Sequence, residues 1–91
     1  MQGADLFLVE RYLPDASEAR LAELAQRLAD AASSMRDEGH DVEWLQSLGL
    51  PADEACFCVF RACDEETVAE ANRRAGADYE RIGRAVALPQ L

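Results

Sequence analysis

The 91-residue chain contains no lysine, and all nine of its basic residues are arginine. It has a single histidine, a single tryptophan and three cysteines. Each shortage excludes something. Nine basic residues against 18 acidic ones leave a formal charge of −9. That field repels phosphate backbones and anionic membranes, so neither nucleic acid nor membrane is an expected partner. No apolar run approaches the roughly 20 residues that span a bilayer, and no basic-then-apolar leader precedes the first strand. The expected address is therefore cytoplasmic. Cys56, Cys58 and Cys63 are an odd set at tight spacing, which points to reduced thiols in a reducing compartment. Cys56 and Cys58 project from one strand face with Cα atoms roughly 6.5–7 Å apart. That is the far edge of disulfide geometry, so no bridge is expected between them. Glycine-rich phosphate loops, nucleophile elbows, zinc-protease helices and dinucleotide fingerprints are missing as well.

What is present is the pattern of an ordinary globular domain, 49% hydrophobic and 30% charged. One domain is expected over residues 1–91, with an ordered core at about 5–88. The stretch "LFLVERYLP" reads as a strand apolar on both faces that meets a carboxylate, Glu10, before Tyr12. Asp15 with Glu18 makes a capping-box pattern for a first helix. Leu21, Leu24, Ala25, Leu28, Ala31, Ala32 and Met35 recur at helical spacing on its inner face, and Gly39 closes it. "HDVEWLQSLGLP" alternates as a second strand, with Val42, Trp44 and Leu48 on one parity and Glu43, Leu45 and Ser47 on the other. "CFCVFRA" is a third strand. Asp64 caps a second helix with Val68, Ala71 and Ala75 inward and Gly76 at its end. "RIGRAVAL" is a short fourth strand, after which "PQL" leaves the sheet.

The order β-α-β-β-α-β predicts an α+β ferredoxin-like sandwich, a four-stranded antiparallel sheet with two helices on one face. The first and third strands, apolar on both sides, take its centre. The helices cover one face only, so a second copy packed sheet against sheet is expected to cover the other. The chain is expected to be a homodimer, with a small-molecule or protein partner left open.

"LFLVERYLP", "VEWLQSLGLPADEACFCVFRA" and "DEETVAEANRRAGADYERI" together resemble a small bacterial family, the domain of unknown function 4242, some of whose members are described as nickel-binding proteins. The resemblance covers about residues 5–86 and implies a ferredoxin-like fold, a dimer and, for some members, nickel. The positions that match its motif are Glu10, Arg11, Tyr12, Trp44, Ser47 and Cys58.

Two kinds of chemistry are then open. Nickel and zinc favour imidazole and thiolate with carboxylates in support. His40 stands in the acidic stretch "RDEGHDVE", with Asp37, Asp41 and Glu43 as neighbouring ligands and Glu38 completing the run. That set predicts weak surface binding of nickel or a similar divalent cation. A pair of thiols at Cys56 and Cys58 suits a soft ion only if the side chains lean together; core packing is the plainer reading of both. The alternative function is a small-molecule site or a cofactor-free enzyme of isomerase, cyclase or oxygenase type. Its cavity would be lined by Glu10, Tyr12, Trp44, Gln46 and Cys58, with Glu10 and Tyr12 as the catalytic pair and Glu10 as the base. Against it stands a plainer role for Glu10, an ion pair with Arg61 or Arg84 at the dimer interface. No organic cofactor is indicated.

Overall fold

The computed structural model describes residues 5–88. In chain order the elements are β1 (Asp5–Tyr12), α1 (Glu18–Asp37), β2 (Val42–Leu50), a short 3-10 turn (Pro51–Asp53), β3 (Ala55–Ala62), α2 (Glu65–Arg74) and β4 (Arg81–Ala85). The sheet runs β2-β3-β1-β4 with every neighbouring pair antiparallel. The expected ferredoxin-like arrangement is what forms, with β1 and β3 in the centre. The segment "PQL" lies outside the described residues.

α1 begins at Glu18 and not at the Asp15 cap the sequence suggests. Asp15 adopts a left-handed backbone at φ 54°, and its carbonyl accepts from Ser17 N at 2.7 Å. That tight turn places Ser17 at the cap, where its hydroxyl accepts from Arg20 N at 3.2 Å. The capping-box spacing is thus two residues out of register, because the turn after Pro14 consumes Asp15. At the other end the expected glycine termination forms. Gly39, at φ 96°, donates to the Arg36 carbonyl and His40 N donates to that of Met35, the two-bond closure of a helix C-terminus. Asp64 caps α2 as expected, accepting from Thr67 N at 2.8 Å.

The core lies between the helices and one face of the sheet. Leu24, Leu28, Ala32 and Met35 of α1 and Val68 and Ala71 of α2 meet Phe7, Val9, Val42, Cys56, Cys58, Phe60 and Ala62. Alternation decides which strand residues take part. Odd residues of β1 and even residues of β3 face the helices, and their neighbours in sequence face away.

β2 breaks the alternation. Trp44 pairs with Phe60 and Gln46 with Val59, so Leu45 is an extra residue without a partner, a β-bulge. Before it Val42 and Trp44 face the helices; after it Ser47 and Gly49 do, and Leu48 turns outward. The single parity expected for Val42, Trp44 and Leu48 is therefore wrong beyond Trp44, since one inserted residue sends every later side chain to the other face.

The position of the α1 cap is directly testable. Ser17→Ala is expected to lower stability by about 1 kcal/mol in urea unfolding. Asp15→Ala, which removes no capping hydrogen bond, is expected to cost less than Ser17→Ala.

Candidate functional site

The bulge in β2 assembles a polar chain inside the helix-covered face. Trp44 Nε1 donates to Ser47 Oγ at 3.0 Å, and Ser47 Oγ donates to Cys58 Sγ at 2.9 Å. Cys58 Sγ lies 3.7 Å from Cys56 Sγ, and both thiols are fully buried. Without the bulge Trp44 and Ser47, an odd number of residues apart, would point to opposite sides of the sheet.

Arg11 stands beside the thiols. It pairs directly with Cys56 across β1 and β3 and is only 2% exposed. Its guanidinium is held by neutral oxygens alone: Nη1 donates to the carbonyls of Ala77 at 3.3 Å and Asp78 at 3.1 Å, and Nη2 to Asn72 Oδ1 at 2.6 Å. Asn72 is itself fully buried and donates from Nδ2 to the Val68 carbonyl at 2.8 Å. Arg11 Nε has no partner. The two thiols titrate as a unit. The hydrogen bond with Cys56 lowers Cys58 to about 6, with the Ser47 hydroxyl and the Arg11 charge acting the same way against burial. Cys56 is pushed up, first by the proton it shares with Cys58 and then by burial.

The opposite sheet face carries Glu10, Tyr12 and Gln46. They do not share a space with Trp44 and Cys58, which lie on the helix side, so one chain does not gather the five residues expected to line a single cavity. Glu10 is half-buried and binds Arg81, with Arg81 Nε 2.9 Å from Glu10 Oε1. The expected partners were Arg61 or Arg84. Register explains the difference: Arg81 is directly across from Glu10, whereas Arg61 is opposite Leu6 and Arg84 opposite Phe7. Arg61 binds Glu43, and Arg84 binds Asp5 at 3.2 Å. The Tyr12 hydroxyl donates to Glu54 Oε1 at 3.4 Å. Around Glu10 and Tyr12 the surface forms an open concavity rimmed by Asp53, Glu54 and Glu80.

His40 is exposed just beyond α1, its Nε2 3.9 Å from Glu38 Oε1. Arg74 grips Glu38 through both oxygens, at 2.8 and 2.9 Å, and so holds that carboxyl below the usual range. The proposed ligands Asp37, Asp41 and Glu43 do not converge on His40. Glu43 lies on the open sheet face in its pair with Arg61, and among the described residues no three His, Cys, Asp or Glu side chains are placed to hold one metal ion. What His40 does share is a cleft with Cys63, Asp64, Glu66 and Glu70, at the junction of α1 and α2. A closed nickel site does not fit this chain.

Sheet order and helix placement define a small α+β protein of the ferredoxin-like type. A family model described as nickel responsive protein SCO4226-like matches residues 7–84, and the chain belongs to that family. This agrees with the resemblance seen in the sequence. The fold is similar to that of the crystal structure of SCO4226 from Streptomyces coelicolor A3(2), with a TM-score of 0.75 and 16% identity over 92% of this chain and 99% of that one. No curated protein matches the chain. Among the described residues no helix is long and apolar enough to cross a membrane.

Of the buried cluster, Asn72 was not among the residues singled out in the sequence, and Arg11 was so only as a position that matches the family motif. Arg11 carried a signal, for it shares the parity of Phe7 and Val9 and so belongs to the buried face. Asn72 carried one as well, four residues after Val68 on the inner face of α2. Asn72→Ala leaves an Arg11 N–H and the space around it unfilled. Loss of a hydrogen bond to a buried charge is expected to cost about 2–3 kcal/mol in urea unfolding.

Proposed function

We propose that this chain is a small homodimeric protein of the cytoplasm that binds nickel or a similar divalent cation weakly, at an open surface site anchored on His40. The observation that carries this reading is the cleft shared by His40, Cys63, Asp64 and Glu66. Imidazole, thiol and carboxylate are the donor types that such ions prefer, and here they line the cleft without three of them converging on one point. Water completes the coordination shell, so the affinity is modest. The formal charge of −9 raises the local concentration of cations around the site. The family's description as nickel responsive supports the choice of metal.

The dimer rests on the sheet face that no helix covers. Leu8, Phe57 and Val59 occupy its middle and Leu48 its exposed flank, while the Glu10–Arg81 and Glu43–Arg61 pairs stand at its margins. An apolar centre with a charged rim is the composition of a surface that meets another. Packing sheet against sheet would bury that centre.

Calorimetry with nickel on tag-free protein tests the metal. Saturable heat is expected in the native sequence, and His40→Ala is expected to weaken binding by about tenfold or more. Asp37→Asn is expected to change it little. Absence of saturable heat in the native protein would retire the metal reading. Sedimentation equilibrium tests the dimer: Val59→Asp places a charge in the apolar centre and is expected to give monomer with the fold retained by circular dichroism.

A further inference from the structure

The buried cluster on the helix side has a feature that core packing alone leaves without explanation. Arg11 carries a permanent charge at 2% exposure, and no carboxylate touches it. Buried charges are ordinarily paired, because an unpaired one loses its hydration with nothing to replace it. The charged side chains that face this position can be followed element by element. The buried residues of α1 are apolar, namely Leu24, Leu28, Ala31, Ala32 and Met35. α2 contributes Val68, Ala71 and the neutral Asn72. β2 contributes Trp44 and Ser47, and β4 contributes Ile82. On its outer side Arg11 borders the concavity that holds Glu10, Tyr12, Asp53, Glu54 and Glu80, none of which forms an ion pair with it; on the helix side the titratable groups near it are Cys56 and Cys58.

The hydrogen-bond directions around Cys58 point the same way. Ser47 Oγ already accepts from Trp44 Nε1, which leaves its own proton to be donated to Cys58 Sγ at 2.9 Å. Cys56 Sγ, 3.7 Å away, is the second neighbour able to donate to the same sulfur. A neutral thiol is a weak acceptor, whereas a sulfur that gathers two donors beside a guanidinium has the surroundings of an anion.

We infer that Cys58 stands as a thiolate whose charge balances Arg11 in the interior, and that of the two buried thiols it is the one that attacks small uncharged carbon electrophiles. Cys56 keeps the proton that the pair shares. Half-buried Ser47 and Trp44 lie between Cys58 and the surface, so an approaching reagent must be small, and the dry surroundings favour an uncharged one. With iodoacetamide as the probe, the Cys58 sulfur lone pair forms the new S–C bond as the C–I bond breaks. Iodide leaves, and the shared proton remains on Cys56. Lowering of Cys58 to about 6 agrees with this arrangement.

The test uses the full chain carrying Cys63→Ser, which removes the one exposed thiol. Ultraviolet absorbance of the thiolate, followed against pH, is expected to show one equivalent appearing near the lowered value in the folded protein. In the urea-unfolded chain it is expected at about pH 8.5. Between about pH 8 and pH 7 the rate of Cys58 labelling by iodoacetamide is expected to change less than about twofold when folded and about eightfold when unfolded. Arg11→Lys is expected to keep the low midpoint, and Arg11→Met to raise it by about one pH unit or more. The titration of Cys63→Ser alone decides the question should Arg11→Met fail to fold. Absorbance that appears only in the unfolded range would make the pair a neutral dithiol and overturn the inference. A low-midpoint thiolate that iodoacetamide leaves unmodified in the folded protein would overturn the site of attack.

Discussion

A single buried guanidinium organises the helix-covered half of this molecule. Arg11 extends from the centre of the sheet to the end of α2, where it collects Asn72 and the carbonyls of Ala77 and Asp78. Those carbonyls belong to the turn that leads from α2 into β4, so the arginine fixes where the last strand begins. On its other side it lies against the Cys56 and Cys58 thiols. An apolar residue at this position would satisfy none of these acceptors, and each buried acceptor left unpaired costs about 1–3 kcal/mol. The charge is what joins β1, β3 and α2 at one end of the core.

The two faces of the sheet are chemically distinct because the helices cover only one. On the covered face the polar groups are few and all directed at one another, in the sequence Trp44, Ser47, Cys58 and Cys56, with Arg11 beside them. On the open face, charged side chains sit at the margins in cross-strand pairs and the middle stays apolar. Glu10 belongs to the second face. Its pairing with Arg81 is the ordinary outcome for opposite charges placed directly across an antiparallel ladder. His40 and Cys63 belong to neither face and line one cleft at the junction of the helices. Arg74 pairs there with both Glu38 and Glu70, ties the end of α1 to α2 and occupies Glu38, the carboxylate that completes the acidic run around His40.

Much of the architecture was legible in the residue order. Short runs apolar on both faces in β1 and β3, period 3.6 in α1, the Gly39 and Gly76 terminators and the Asp64 cap each report a local preference that the folded chain honours. The β-α-β-β-α-β order then leaves little choice of topology, because crossovers are right-handed and connections short. Family membership was legible too, in motifs that run along nearly the whole chain. Local rules went astray in two places. The turn after Pro14 took Asp15 out of the cap, and the bulge at Leu45 reversed the parity of β2.

The composition of the sites was decided by tertiary structure. Sequence determined which residues were available: one histidine, two cysteines a residue apart, and an arginine on an apolar parity. It did not determine which of them meet, because contacts across a sheet depend on register, and a one-residue insertion exchanges the faces. That insertion brought Ser47 to Cys58 and put Gln46 on the face away from Trp44. Register likewise gave Glu10 to Arg81 in preference to Arg61 or Arg84. Packing of α2 placed Asn72 against Arg11 across 61 positions of chain. Local preferences act over a few residues, whereas a buried charge is stabilised by whatever the whole fold brings within hydrogen-bonding reach.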